Sequence, residues 1–174
     1  MVRINREIYF LSQKSKVKVI DFIKKHAVGL LVLLFSSVFF FLSIKTGLLD
    51  DWDECMYAGF ARNMHSSAYF AANMWSDGVF LDKLPFYTYL LQIPLYFGDS
   101  EWLLRLPSLL FGLGVVWMIY WYAHEHMSHR TVGVLAMLIF LVAPINSMFL
   151  TRMSTDPGFV FFILCSVFTY KKSY

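Results

Sequence analysis

The chain has 174 residues, of which 58% are hydrophobic and 16% are charged, and its formal net charge is +3. The hydrophobic share exceeds the roughly 45–50% typical of soluble domains, which excludes a soluble globular or a disordered protein and indicates a membrane protein. The basic residues lie around the apolar segments instead of on one polar surface, so no nucleic-acid partner is expected.

The first 44 residues predict a membrane anchor. Residues 1–26 form a basic cytoplasmic leader that carries seven Lys and Arg residues. Residues 27–44 follow as 18 residues without a charge, which is the length that a helix needs to cross the hydrocarbon core. The run is long and no small-residue cleavage motif follows it, so this first span is predicted to be an uncleaved signal anchor.

Residues 45–105 form a long loop that is predicted to contain two helices lying along the membrane surface. The segment Asp53–Ser66 carries apolar side chains at every fourth position, as one face of a helix does. The segment Leu84–Phe97 is aromatic and apolar, and Tyr and Trp side chains favour the headgroup level of a membrane. The regularly spaced residues of the first segment are Met56, Phe60 and Met64.

Residues 106–170 predict three further spans, with Pro144 as a candidate kink in the second of them, and residues 171–174 form a cytoplasmic end. The predicted fold class is therefore all-α, a multi-pass helical membrane protein with about four transmembrane helices and two interfacial helices. The three further spans are 106–123, 131–151 and 157–170.

The distribution of charges predicts the orientation of the chain. Residues 1–26, 124–130 and 171–174 together carry ten basic and three acidic residues, whereas the remaining segments carry five basic and nine acidic ones. Because Lys and Arg favour cytoplasmic segments, the amino terminus is predicted to be cytoplasmic and the long loop to lie on the outer face.

The acidic run that opens the first loop helix has two interpretations. Asp51 followed by Glu54 is a capping-box pattern, and acids in a first turn complement the helix dipole. Crowded carboxylates at the outer end of a span are also typical of a chemical site. The spacing of these residues leaves both interpretations open.

Other polar positions have structural explanations as well. Lys83 and Arg105 are typical of basic side chains that reach for lipid headgroups, and Asp156 before Pro157 is typical of a helix start. The polar turn after the second span matches no standard ligand spacing, so no metal site is predicted there. Its residues are His124, Glu125, His126 and His129.

Four short strings between residues 45 and 170 carry a family resemblance. They are Asp53-Glu54 with Met56-Tyr57-Ala58 and Ala61-Arg62-Asn63-Met64; Asp82-Lys83-Leu84-Pro85 with Phe86-Tyr87-Thr88-Tyr89; Arg105-Leu106-Pro107-Ser108; and Arg152-Met153-Ser154-Thr155-Asp156-Pro157. In these residues and in their order the sequence resembles the polyprenyl-phosphate-sugar-dependent membrane glycosyltransferases of the GT-C type. The resemblance is strongest to the branch that includes the lipid A aminoarabinose transferases and the protein O-mannosyltransferases.

The resemblance implies inverting transfer of a sugar from a polyprenyl phosphate carrier to a lipid, glycan or protein acceptor at the outer face. Asp53 is then the catalytic carboxylate, which takes a proton from the attacking hydroxyl or amine. Glu54 and Asp156 are the implied supporting acids.

The leaving lipid phosphate gains negative charge during transfer and needs a cation. The resemblance implies Lys83 for this contact, with Arg62 and Arg152 as additional electrostatic candidates. Three more residues are expected beside these groups: Asp82, Tyr57 and Arg105.

The resemblance specifies no cofactor and leaves a divalent metal open. The implied partners are the polyprenyl-phosphate sugar donor, the acceptor and membrane lipids, and the expected location is the plasma membrane, the inner membrane of a bacterium.

Relatives of this family continue through many more spans, so the chain is expected to be the amino-terminal part of such an enzyme. The missing spans are then absent or supplied by another chain, and little or no transfer is expected of the isolated chain. The alternative function is that of a non-catalytic or truncated membrane protein whose outer loop binds lipid or a partner.

Overall fold

A computed structural model describes residues 2–45, 49, 53–67, 86–127 and 129–173. Within these ranges the protein consists of seven α-helices and contains no strand, which confirms the all-α prediction. The helices are α1 Val2–Ile44, α2 Asp53–Ser67, α3 Phe86–Leu95, α4 Glu101–His126, α5 Arg130–Val142, α6 Pro144–Thr151 and α7 Asp156–Ser173.

Two described helices are long and apolar enough to cross a membrane on their own. They are the Lys18–Ile44 part of α1 and the whole of α4, and they correspond to the first and second predicted spans. The leader is not a separate segment, because α1 runs without a break from Val2 through the first span.

The third predicted span is a bent pair of helices, and the fourth corresponds to the short helix α7. Residues Thr131–Val142 and Pro144–Thr151 bend by 73° at their junction, so the third span exists only if this broken pair counts as one. Helix α7 has 18 residues, but its charged residues leave an uncharged stretch of only 14, from Pro157 to Tyr170. By length and composition alone, the described residues contain two helices that can cross a membrane, or three spans if the bent pair counts as one.

The bend has a local cause in Pro144, which has no N–H to donate to the carbonyl of Phe140 four residues earlier. The side chain of Asn146 donates to that carbonyl instead, at 3.0 Å. The hydroxyl of Ser147 donates in the same way to the carbonyl of Leu141, at 2.8 Å. Side chains thus satisfy the backbone groups that the break releases, as a chain in lipid requires.

Helix α4 is the central element, and it packs against α1, α3, α5, α6 and α7. Its middle and carboxy-terminal parts share one apolar core with α1, α5 and α6, built around Val116, Tyr120 and Met137. Its first turn joins a second core with α2 and α3, where Leu104 is fully buried. The amino-terminal end of α4 therefore lies where the loop helices meet the bundle.

The two loop helices lie close to their predicted positions. Phe60 and Met64 of α2 are buried and Met56 is partly buried, so the apolar face predicted from their spacing is confirmed. Helix α2 packs against α3 through Tyr57, Ala58 and Ala61. The turn from α3 into α4 is made at Gly98, whose φ of 149° favours glycine.

Candidate active site at the start of α4

A buried ion pair joins α2 to α4. The guanidinium of Arg105 donates to both carboxylate oxygens of Glu54, from Nε to Oε1 at 2.9 Å and from Nη2 to Oε2 at 2.8 Å. Only 2% of Glu54 and 5% of Arg105 is exposed. A two-point contact of this kind is directional, so it fixes the second residue of α2 against the first turns of α4.

The same pair also holds two chain segments that are far away in sequence. Nη1 of Arg105 donates to the carbonyl oxygen of Ile44 at the end of α1, at 3.2 Å. The backbone N–H of Met153, in the linker between α6 and α7, donates to Oε1 of Glu54 at 2.6 Å. Four parts of the chain therefore meet at one carboxylate and one guanidinium.

A second buried network lies beside the ion pair and is centred on Ser108, one turn after Arg105. Its hydroxyl donates to the carbonyl of Ser154 at 2.9 Å and accepts from the N–H of Ser154 at 3.0 Å. Because its single hydrogen is used in this way, the Tyr87 hydroxyl, 2.5 Å away, is the donor in their contact. Burial raises the pKa of the Tyr87 hydroxyl, which keeps it protonated and able to donate.

Tyr57 extends this network on the side of α2. Its ring meets the ring of Tyr87 edge to face, with 5.2 Å between the centroids. Tyr57 is buried, as is Tyr87. Tyr57 thus joins the two loop helices beside Ser108 and Tyr87.

Two carboxylates and one arginine that the sequence analysis named are exposed near the buried ion pair. Asp53 is the exposed first residue of α2 and directly precedes the clamped Glu54. Asp156 is the exposed first residue of α7, and its Oδ2 accepts from the Ser154 hydroxyl at 2.7 Å. Arg152 is exposed in the linker next to Met153. The contacts of Glu54 and Ser108 with this linker bring all three residues to the same end of the bundle.

Arg62 has a contact that the sequence did not suggest. Its Nε donates to both carboxylate oxygens of Asp99, at 2.8 and 3.0 Å, and so links α2 to the turn before α4. The two remaining expected residues, Lys83 and Asp82, lie outside the described residues.

Sequence reasoning missed the two hydroxyl groups that organise the site, those of Tyr87 and Ser108. Both occur inside the family-like strings, but a Tyr in an aromatic run and a Ser near a helix start are more often unremarkable. The signal that they share is a polar side chain in an otherwise apolar stretch, which must find a partner when it is buried.

The chain is similar to one family of known proteins. A family model described as dolichyl-phosphate-mannose-protein mannosyltransferase matches residues 30–174. Comparisons with curated proteins and with solved structures gave no match.

The match covers most of the chain, whose described residues are helical and include apolar helices long enough to span a membrane, and it defines the class of this protein as a membrane glycosyltransferase of the GT-C type. More specifically, the chain belongs to the dolichyl-phosphate-mannose-protein mannosyltransferase family. The family resemblance of the four short strings is thereby confirmed.

Proposed function

We propose that this protein takes part in inverting transfer of a sugar from a polyprenyl phosphate carrier to a lipid, glycan or protein acceptor, with Asp53 as the general base. The observation that carries the proposal is the position of Asp53 next to Glu54. The buried pair of Glu54 with Arg105 fixes the backbone at the start of α2, while Asp53 itself stays exposed. A catalytic carboxylate needs this combination of a fixed position and access to substrate.

In the proposed reaction the acceptor hydroxyl or amine attacks the anomeric carbon of the bound sugar. Asp53 takes the proton of the attacking group as the new bond forms. The bond between the anomeric carbon and the phosphate oxygen breaks on the opposite face, and the electron pair leaves with the lipid phosphate. The proton then passes from Asp53 to solvent, so the carboxylate is regenerated.

The phosphate needs positive charge in the transition state, and two described arginines are candidates for supplying it. Arg62 lies on α2, where its Nε donates to both carboxylate oxygens of Asp99. Arg152 is exposed in the linker that also carries Asp156. Both arginines are additional candidates beside Lys83, which the family resemblance implies.

The proposed placement follows the distribution of charge. Residues 1–26 and 171–174 lie on the cytoplasmic side, residues 27–44 and spans within 106–170 cross the plasma membrane, and residues 45–105 lie on the outer face. The donor and the acceptor then meet at the outer leaflet, where the acidic residues of the chain are concentrated.

The experiment that tests the general base is sugar transfer from a labelled polyprenyl-phosphate donor in native membranes that contain the protein. Asp53→Asn keeps the shape of the side chain but cannot accept the proton. We expect transfer to fall by roughly 100-fold or more, in the range typical of a lost general base. The matched control is Asp21→Asn, since Asp21 is an exposed carboxylate in the middle of α1 and far from Asp53 in sequence.

Donor binding separates the proposal from its non-catalytic alternative. Asp53→Asn should retain the donor, whereas Lys83→Ala should weaken its binding and Lys18→Ala should not. Undiminished transfer by Asp53→Asn would remove Asp53 from the catalytic role. No donor binding by any form of the chain would favour a lipid-binding or partner-binding protein.

A further inference from the structure

A group of metal-ligand side chains lies at the opposite end of the bundle from the candidate active site. His26 of α1 and His124 and Glu125 of α4 each offer one ligand atom, and these three atoms lie within 4.8 Å of one another. Arg105 and His124 are 19 residues apart on α4, which is about 28 Å along a helix axis. The two sites are therefore independent.

The sequence did not predict this group, because the spacing of the histidines within residues 124–129 does not include the ligand from α1. His126 and His129 of that turn are exposed and do not belong to the group. The added ligand is His26, which is nearly a hundred residues away in sequence and only 2% exposed.

A ligand would satisfy a buried polar atom here. Among the residues that the structure describes, Nδ1 of His124 is the buried side-chain nitrogen or oxygen that has no hydrogen-bond partner. An unpaired buried polar atom costs about 1–3 kcal/mol, so native proteins rarely keep one without a reason. Coordination of a metal ion through this nitrogen would remove the cost.

The surroundings of His26 suit a metal ligand as well. Its Nδ1 is 3.2 Å from the Tyr120 hydroxyl. Metal-bound histidines commonly have their other ring nitrogen hydrogen-bonded in this way. The rings of His26 and His124 meet edge to face, with 4.9 Å between the centroids, and Trp117 packs against His26.

We propose that His26, His124 and Glu125 bind a divalent transition-metal ion, with Zn²⁺ as the best match, and that the ion ties α1 to α4. Two imidazoles and one carboxylate are an established zinc ligand set that leaves one position for water. Ligand atoms around tetrahedral zinc lie about 3.5 Å apart, so the three side chains need to close by roughly 1 Å.

One contact competes with the ion. Nζ of Lys25 lies 2.6 Å from Oε1 of Glu125, and the two side chains are 54% and 37% exposed. The metal has to displace this ammonium group or share the carboxylate with it. Removing the positive charge of Lys25 should therefore strengthen metal binding, whereas removing a ligand should weaken it.

The test is isothermal titration calorimetry, in which Zn²⁺ is added to the metal-free, detergent-solubilised chain without a polyhistidine tag. The wild type should bind one equivalent, and His124→Ala and Glu125→Gln should each lose roughly tenfold or more in affinity. Lys25→Gln should bind more tightly than the wild type. The matched control is His126→Ala, which removes an exposed histidine two residues from His124 and should leave affinity unchanged.

Thermal unfolding with Zn²⁺ or with a chelator gives the second readout. The ion should raise the Tm of the wild type and of His126→Ala, and at the same Zn²⁺ concentration it should raise that of Glu125→Gln by less. Because Glu125 is exposed, this variant should match the wild type in chelator, which separates loss of the ligand from loss of the fold. Absence of Zn²⁺ binding by the wild type, or equal affinity of the wild type and His124→Ala, would overturn the proposal.

Discussion

Asp53 and Glu54 are neighbours in sequence, but their side chains have different surroundings. Glu54 is buried against a guanidinium and a backbone N–H, which makes it a positioning residue for the start of α2. Asp53 is exposed at the first position of the helix. The site thus separates the carboxylate that holds the fold from the carboxylate that is proposed to act on substrate.

This division of roles predicts that Glu54→Gln loses stability. The change keeps the volume of the side chain but leaves the buried charge of Arg105 without a counter-ion. Breaking a buried ion pair from one side costs roughly 3–5 kcal/mol. Chemical unfolding of the detergent-solubilised protein measures the loss, with Glu101→Gln in the first turn of α4 as the control.

A cost below about 1 kcal/mol for Glu54→Gln would contradict the buried-pair interpretation, because that is the range of exposed pairs. A second comparison uses Arg105→Gln. If the two side chains act as one unit, the double variant loses less stability than the sum of the single variants.

At the scale of the helices, the sequence predicts well what depends on local pattern. The four-residue spacing in α2 and the apolar runs of α1 and α4 predict these helices because burial of a periodic apolar face is a local property. The bend before Pro144 was predictable as a kink, but its size was not. The size of the bend depends on Asn146 and Ser147, whose side chains donate hydrogen bonds to the carbonyls that the bend releases.

Contacts between distant helices could not be predicted in the same way. The partner of Glu54 is 51 residues away in sequence, and the partner of His26 in the proposed metal group is farther still. A single sequence shows that these residues are polar but not which other polar residue each one meets. The residues of the candidate site were therefore predictable from the four family-like strings, but the hydrogen bonds between them were not.

The close packing of α4 and α5 yields a prediction at this scale. A Cβ added at Gly133 would lie 2.9 Å from the carbonyl oxygen of Tyr120 and 3.2 Å from the Cβ of His124. Because backbone cannot move aside like a flexible side chain, Gly133→Ala should cost about 1–3 kcal/mol and lower the Tm.

The matched control is Gly158→Ala in α7, where the nearest atom to an added Cβ is in the Phe111 ring, at an ordinary 3.4 Å. This variant should be neutral or slightly stabilising, since alanine restricts the unfolded chain. Equal thermal stability of the two variants would show that α4 and α5 are not packed as closely as described.

At the scale of the whole molecule, α4 connects two ends with different chemistry. Its amino-terminal turns hold the buried pair of Arg105 and Glu54, and its last turn holds two ligands of the proposed metal group. The family match assigns the protein to the membrane glycosyltransferases. We propose in addition that the donor binds at the amino-terminal end of α4.

The most direct test of that claim is photocrosslinking with a polyprenyl-phosphate sugar that carries a photoreactive group on the sugar, followed by mapping of the adducts by mass spectrometry. We expect adducts within the peptides that contain Asp53 and the 152–157 linker, and we expect unlabelled donor to compete with their formation. Competed adducts confined to the end that contains His26 and His124, with none near Asp53, would contradict this position of the donor.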